Sequence, residues 1–305
     1  MNFSECQKHF INRCLALNLS GQTLHKYSIV LKRFQKFLLA NSLTCVEEIT
    51  AHDIRGHLSE LYETMDAISV KNHYMALSTF FSYLHREEII KKNPIDKVIK
   101  PKITKKILPA FSKADIHTLL NAFDRSTFLG FRNYTLMCVF FATGARRGAV
   151  SRMKIEDMRF DINIVKVTEK GNIQRNLPLT DTLRKVLIKY IKVRSQYIKE
   201  RGLVESPYLF ITNQGARMQE NAISNLFCKV AKEVNINGVR VSAHTWRHTF
   251  AKFFLLNGGD VFTLQKLLGH SDIKVTKQYI DLNEKEIKIQ NDKFNPFEND
   301  YWEYY

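Results

Sequence analysis

The chain has 305 residues, 45% of them hydrophobic, so it is long enough for two domains and apolar enough to bury a core, which excludes a disordered chain. Its 46 Lys and Arg against 30 Asp and Glu give a formal net charge of +16, which favours a polyanion, with nucleic acid ahead of the alternative of a basic soluble protein without such a partner. The five cysteines are widely spaced, odd in number and without a CxxC pair, so neither a disulfide framework nor a zinc module is expected.

The first residues, MNFSECQKHF, carry acidic and polar side chains where a secretion signal has an apolar core. No apolar run approaches the length of a membrane span. The sequence therefore predicts a soluble cytoplasmic protein with no membrane partner.

The segment from Gln22 to Ala40 is predicted to form an amphipathic helix, because its apolar residues recur at helical spacing and basic residues occupy its other faces. The apolar positions are Leu24, Tyr27, Leu31, Phe34 and Leu38, and the basic ones are Lys26, Lys32, Arg33 and Lys36. A second helix is predicted over SVKNHYMALSTFFSYLHRE (69–87), with Ser69 as its N-cap. Together they predict a helical domain over residues 1–98, whose basic faces either contact nucleic acid or are simply solvated.

Asn93-Pro94 ends the helical pattern, because proline lacks an N–H group and restricts the residue before it. Residues 99–110 are then predicted to form an extended basic linker between domains. Its lysines are Lys100, Lys102, Lys105 and Lys106. The linker either lies along a phosphate backbone, where each neutralised phosphate adds salt-dependent affinity, or is a soluble tether, and the net charge favours the first.

A second domain is predicted over residues 111–288. Ser112 and Asp115 form a capping box at the start of one helix, and a long apolar helix ends near Gly144, with another helix starting at the arginines that follow. The segment INIVKVTEKGNIQRNLPLT alternates in hydrophobicity on both sides of a turn, which predicts a β-hairpin with Lys170 at its tip. The remainder is mostly helical in pattern, so the predicted fold class is mainly α with a small antiparallel β-sheet.

Two arginine-containing segments are candidates for holding a phosphate. In SAHTWRHTF, His244 and Arg247 share one face of the first helical turn, where backbone N–H groups also point outward. In ATGARRGAV, Arg146 follows a helix-breaking glycine, and its planar guanidinium suits two phosphate oxygens. The alternative is that the histidines pack or cap, that Arg247 is a surface charge and that Lys170 is an ordinary turn lysine.

The segment LLGHSDIKVTKQYI combines a helix end with a helix start. Asp260 is a plausible N-cap of the helix before it, Gly269 is placed to end that helix, and His270 then projects from the connection. Ser271 can cap the next helix, on which Tyr279 is partly exposed. A tyrosine is a weak nucleophile at neutral pH unless positive charge stabilises its phenolate and the attacked phosphate, and the basic residues above would supply that charge.

These segments, in this order, resemble the motifs of tyrosine recombinases of the phage integrase family, in particular its compact Xer-like members. ATGARRGAV resembles the first arginine motif, TEKGNIQRNLPL the hairpin with its lysine, SAHTWRHTF the HxxR motif, and LLGHSDIKVTKQY the final motif, in which the tyrosine follows the histidine by nine residues. The resemblance implies a helical core-binding domain and a mixed α/β catalytic domain. A tail over 289–305 would dock on a neighbouring protomer through Phe294, Phe297 or Trp302, or be disordered.

The resemblance also implies the reaction. Tyr279 would attack the scissile phosphate to leave a 3′-phosphotyrosyl enzyme and a free 5′-hydroxyl, while Arg146 and Arg247 clamp the phosphate and Lys170 protonates the leaving oxygen. His244 and His270 would assist proton transfer and phosphate binding. No metal or other cofactor is implied. Four protomers on two double-stranded DNA sites would exchange strands through a Holliday junction, for integration, excision or resolution, with or without an accessory protein.

Further DNA contacts are expected from Arg175 in the hairpin and from the basic residues of the N-terminal domain and linker. The family usually has an acidic residue three positions after the first arginine, where this chain has Ala149, so the contact made by that carboxylate must be absent or replaced. Two alternatives share these residues: DNA relaxation of the type IB topoisomerase kind, and a DNA-binding protein on the same fold that has lost its chemistry.

Overall fold

The computed structural model describes residues 1–103, 109–169, 173–236, 238–269 and 284–294. The chain divides into two compact units, Met1–Lys106 and Ile107–Tyr305, with the division inside the predicted linker. Lys105 and Lys106 lie outside the described residues.

The N-terminal unit consists mainly of four helices, α1 (Phe3–Ala16), α2 (Gly21–Ala40), α3 (Ala51–Thr64) and α4 (Ala67–Arg86). Helix α2 confirms the predicted amphipathic helix, since Leu31, Phe34 and Leu38 are buried in the core of this unit. The predicted cap of α4 is wrong. Asp66 begins that helix, and its carboxylate accepts from the backbone N–H of Ser69, which is already inside the first turn.

Two histidines are buried in this unit. His57 of α3 is 2% exposed and lies against the rings of Phe34 and Phe37, whose centroids are 5.0 and 5.1 Å away. His73 of α4 is 6% exposed, with its ring centroid 6.2 Å from that of His57. Neither ring nitrogen of His57 has a hydrogen-bond partner among the described residues. Burial, with smaller contributions from His73 and Arg33, lowers the pKa of His57 to about 4.

The C-terminal unit combines helices with a three-stranded antiparallel sheet. The strands, in the order β1-β2-β3, are β1 (Met158–Arg159), β2 (Ile164–Thr168) and β3 (Gln174–Pro178). The predicted hairpin is confirmed as β2 and β3, in which Val165 pairs with Leu177 and Val167 with Arg175. Strand β1 was not predicted.

The helices of this unit enclose a main hydrophobic core that includes Phe140 and Trp246, and α10 and α11 form a smaller buried cluster that includes Leu264 and Leu268. They are α5 (Lys113–Asn121), α6 (Phe128–Thr143), α7 (Arg147–Arg152), α8 (Asp181–Glu200), α9 (Glu220–Val234), α10 (Ala243–Leu256), α11 (Val261–Leu268) and α12 (Glu284–Phe294). None of the helices in the described ranges is long and apolar enough to cross a membrane.

Helix ends in the C-terminal unit follow the predicted capping residues. The Ser112–Asp115 capping box opens α5 and the carboxylate of Asp260 caps α11, both as predicted. Helix α10, whose start the sequence places at Ser242 or Ala243, is capped by the hydroxyl of Ser242. Gly144 ends α6 and Gly269 ends α11, both in the left-handed conformation that glycine adopts without a steric penalty. Two of the candidate site residues come directly after these helix ends in the sequence: Arg146 follows Gly144 by two residues, and His270 follows Gly269.

Helix α12 packs on its own chain. The side-chain amide of Gln290 donates to the carbonyl of Leu256, and a Cβ added at Gly258 would lie 2.7 Å from the ring of Phe294. The boundary predicted between residues 288 and 289 lies within this helix. Phe297 and Trp302, the other residues proposed to dock on a neighbouring protomer, lie outside the described part of the chain.

Candidate active site

Arg146 stands at the N-cap position of α7, two residues after Gly144. Its Nη1 donates to Oε2 of Glu169 at 2.8 Å, and its Nη2 reaches the carbonyl of Gly269 at 3.5 Å. The Arg146 side chain remains 44% exposed. Part of the guanidinium is therefore held by the protein while the rest faces solvent, as a residue that binds a phosphate requires.

Arg247 of α10 is buried, with only 2% of its surface exposed. It donates from Nη1 to the carbonyl of Gly144 at 2.9 Å and from Nη2 to that of Leu268 at 2.6 Å. The alternative that Arg247 is a surface charge is therefore wrong. A buried guanidinium needs such acceptors, and here they are the carboxyl ends of α6 and α11, where a positive charge is also favoured by the helix dipole.

His244 lies three residues before Arg247, in the first turn of α10. Its ring is stacked on that of His248, with 5.6 Å between centroids. Partial burial, followed by the positive charges of Arg247 and Arg146, lowers the pKa of His244 below its ordinary value. The lowered pKa favours the neutral form of His244, which is the form that can accept a proton.

Arg175 of β3 is mostly buried, with 13% of its side chain exposed, and its guanidinium contacts other residues of the same unit. It donates from Nε and Nη2 to Oε1 of Glu169, at 3.1 and 2.8 Å, and from Nη1 to the carbonyl of Leu267. The residue predicted as a DNA contact is thus also the third arginine, after Arg146 and Arg247, that reaches a carbonyl at the carboxyl end of α11.

Glu169 joins two of these arginines and was not singled out from the sequence. Its side chain is 7% exposed, and its two carboxylate oxygens accept from Arg146 and Arg175 respectively. Burial alone would raise the pKa of Glu169, but the hydrogen bonds and charges of the two arginines hold it below its usual value. The signal that could have found it is strand alternation, because Glu169, the residue directly after β2, continues the buried alternate positions of Val165 and Val167.

Lys170, His270 and Tyr279 lie outside the described residues. Lys170 directly follows Glu169, and His270 directly follows Gly269, whose carbonyl lies near Arg146. Arg146, Arg247 and Arg175 thus meet at the carboxyl end of α11. Glu169 joins Arg146 to Arg175, and His244 lies near Arg146 and Arg247. In the described ranges, no group of three or more His, Cys, Asp or Glu side chains is placed to hold a metal ion.

The remaining predicted DNA contacts are exposed basic side chains of the N-terminal unit. Lys26, Lys32, Arg33 and Lys36 of α2 are exposed, as are Lys100 and Lys102 beyond α4. Of these, Lys26 donates to the side-chain oxygen of Asn72 at 3.3 Å. Their exposure leaves them accessible to a polyanion or to solvent, the two alternatives that the sequence leaves open.

Comparison with known families finds two matches that together cover most of the chain. Residues 110–286 match the model of the phage integrase family. Residues 11–88 match the phage integrase N-terminal SAM-like domain. Both matches fall within the two units that the structure separates.

Curated relatives match over nearly the whole chain. The chain is 31% identical over 281 residues to tyrosine recombinase XerC of Thermodesulfovibrio yellowstonii, covering 91% of each protein. It is 29% identical over 275 residues to tyrosine recombinase XerC of Bacillus pumilus, covering 89% of each.

Solved structures share the fold at lower sequence identity. XerH site-specific recombinase bound to palindromic difH substrate, a post-cleavage complex, matches with a TM-score of 0.74 and 18% identity, over 90% of this chain and 80% of that one. A lambda integrase tetramer bound to a Holliday junction matches with a TM-score of 0.73 and 17% identity, over 94% of this chain and 81% of that one.

Proposed function

The chain belongs to the phage integrase family, and from that premise we propose that it is a site-specific DNA recombinase that cuts and rejoins DNA through a phosphotyrosyl intermediate. The observation that carries this proposal is the convergence of Arg146 and Arg247 on carbonyls at the carboxyl end of α11, with His244 close enough to both arginines for their charges to lower its pKa. Lys170 and His270 directly follow Glu169 and Gly269 in the sequence, and Tyr279 follows His270 by nine residues; these are the lysine, histidine and tyrosine that the proposed reaction requires.

The first role of the cluster is electrostatic. Attack on a phosphodiester adds negative charge to the phosphate oxygens in the transition state, and fixed donors stabilise that charge by roughly 3 kcal/mol each. Arg146 keeps an exposed edge for one oxygen. Arg247 is held by the ends of α6 and α11, so its charge is already in place before DNA binds.

Proton transfer completes the step. The phenol oxygen of Tyr279 forms a bond to the scissile phosphorus, and the bond to the 5′ oxygen breaks, so the cut strand leaves a 5′-hydroxyl. His244 can accept the phenol proton because burial and the charges of Arg247 and Arg146 favour its neutral form, and Lys170 is proposed to protonate the departing oxygen. The 5′-hydroxyl of a second strand then attacks the phosphotyrosine by the reverse route, which conserves the number of phosphodiester bonds.

The partners follow from this chemistry. The substrate is double-stranded DNA at a specific site, and strand exchange between two duplexes requires several protomers, which we take to be a tetramer on a Holliday junction. The tetramer of the structurally similar lambda integrase on such a junction supports this proposal. Exposed lysines of α2 are suited to phosphate contacts outside the site. Since the substrate is genomic DNA, we place the enzyme in the cytoplasm, at the nucleoid.

The proposal can be tested before the sequence of the DNA site has been identified. The protein is incubated with sparsely nicked genomic duplexes, so that a short strand carrying the new 5′-hydroxyl can diffuse away after cleavage and trap the enzyme on DNA. The mixture is denatured with detergent, and DNA that remains bound to protein is recovered and sequenced. We expect one sequence or a small set of related sequences, and none with Tyr279→Phe; recovery of adducts from the variant would refute the assignment of the nucleophile.

Two further assays on the recovered sequence separate recombination from its alternatives. Two duplexes that carry this sequence should exchange strands, and a supercoiled plasmid without it should stay supercoiled. Relaxation of that plasmid without strand exchange would instead indicate a topoisomerase. Binding of the sequence without any covalent adduct would indicate a DNA-binding protein that has lost its chemistry.

A further inference from the structure

The carboxylate of Glu169 lies between two arginines that come from different elements. Arg146 precedes α7 and Arg175 lies on β3, and each pairs with a different oxygen of Glu169 at 2.8 Å. Glu169 and Arg175 are diagonal neighbours across the hairpin, because Arg175 is opposite Val167. Arg146 joins this pair from outside the sheet.

The ion pairs are buried on the Glu169 side. A carboxylate that is 7% exposed and lacked its partners would be strongly destabilising, so the two arginines and Glu169 hold each other in one arrangement. Both arginines also reach carbonyls at the carboxyl end of α11, Arg146 that of Gly269 and Arg175 that of Leu267. The arrangement therefore connects the hairpin, the start of α7 and the end of α11.

Helix α7 itself offers Arg146 no carboxylate at the position where one is expected. Ala149, one helical turn from Arg146, is 1% exposed and belongs to the hydrophobic core. The next residue, Val150, is also buried. Among the described residues, the acidic group that contacts Arg146 is Glu169.

We propose that Glu169 is a positioning residue that orients Arg146 toward the scissile phosphate, in the role that an acidic residue at position 149 would otherwise have; this rests on the proposed recombinase function. Glu169 fixes one side of the guanidinium and leaves its exposed side for the phosphate. Lys170, which we assign as the general acid, is the next residue in the sequence.

This role differs measurably from that of a simple counter-ion. A counter-ion competes with the phosphate for Arg146, so its removal would tighten DNA binding and speed cleavage. A positioning residue is required in the transition state, so its removal slows cleavage while DNA binding does not weaken, because a negative charge has been removed from the site.

Single-turnover cleavage of the nicked duplex recovered above separates the two. Glu169→Gln is expected to cleave ~10- to 100-fold more slowly than the unaltered protein, as for a catalytic group displaced by about 1 Å, with a DNA dissociation constant that does not rise. Glu169→Asp should recover part of the rate because it restores the charge. The control is Glu156→Gln, which removes the carboxylate of an exposed ion pair with Lys154 and should cleave normally. Unchanged or faster cleavage by Glu169→Gln would overturn the proposal.

A DNA-free measurement keeps this inference separate from the proposed reaction. In protein labelled with ¹⁵N-arginine, the guanidinium Nη–H signals that disappear in Arg146→Lys identify the group that donates to Glu169. We expect these signals to be protected from exchange with water and to lose that protection in Glu169→Gln but not in Glu156→Gln. Equal protection in both variants would overturn the positioning role, whereas failure of the unaltered protein to form any DNA adduct would refute only the proposed function.

Discussion

Lowering the pH from 7.5 to 5 is expected to destabilise the helical N-terminal unit, because His57 takes up a proton when this unit unfolds. In the folded protein His57 is packed between α2 and α4, against Phe34, Phe37 and His73. The positive charge of Arg33 adds to the effect of burial in keeping the imidazole neutral. The perturbation that isolates this residue is His57→Leu, which removes the titrating group at similar volume.

The size of the effect follows from the two pKa values. The folded-state pKa is about 4 and the ordinary value is 6.5, so between these values the unfolded chain binds a proton that the folded chain does not. Each pKa unit corresponds to 1.36 kcal/mol, so His57 alone is expected to remove roughly 2 kcal/mol of stability between pH 7.5 and pH 5. His73, whose pKa is also lowered by burial, adds to this loss. Above pH 7 both rings are neutral in either state, and the contribution vanishes.

Hydrogen exchange measured peptide by peptide in the full chain is a suitable assay, because the N-terminal unit contains no tryptophan and its peptides report on it directly. Opening free energies are taken from peptides of α3 and α4 at a series of pH values, after correction for intrinsic exchange rates. His57→Leu should reduce the loss of opening free energy between pH 7.5 and pH 5 by roughly 2 kcal/mol. If the opening free energy falls equally with pH in the unaltered protein and in His57→Leu, the proton uptake does not belong to His57.

Three further substitutions test other parts of the structure. Arg247→Lys keeps the charge but cannot reproduce a planar fork to two carbonyls, so its single-turnover cleavage should fall about 10²- to 10³-fold while DNA binding persists. Gly144→Ala should lower the melting temperature more than Gly202→Ala, because both glycines have a φ of +58° but only at Gly144 would the new Cβ approach an aromatic ring, at 2.6 Å from Phe250; equal losses would contradict this. Lys32→Ala should reduce the slope of log K for DNA against log salt by about one, and an unchanged slope would mean that this lysine contacts no phosphate.

The parts of the fold that could be predicted from sequence depend on local chemistry. Ser242 and Asp260 cap helices through their own side chains, and Gly144 and Gly269 end helices through their own backbone freedom, so each signal lies within a few residues of its effect. The prediction failed where two capping residues competed. The carboxylate of Asp66, three residues before Ser69, accepts a hydrogen bond from the backbone N–H of Ser69, so the helix begins earlier than predicted.

The parts of the site that could not be predicted depend on contacts between distant segments. Arg247 is buried because carbonyls at Gly144 and Leu268 accept from it, and nothing near Arg247 in the sequence indicates this. Strand alternation alone turns Glu169 inward, but an inward carboxylate is stable only with partners, and Arg146 reaches it from 23 residues away. The resemblance to a family located the basic residues, whereas the carboxylate that joins them became visible only in three dimensions.

The most direct test of the central claim is the chemical identity of the protein–DNA linkage. The trapped complex is digested with nuclease and protease, and the peptides are analysed by mass spectrometry. We expect a peptide containing Tyr279 that carries a nucleotide joined through its 3′-phosphate. A nucleotide on any other residue, or a linkage through a 5′-phosphate, would contradict the proposed reaction.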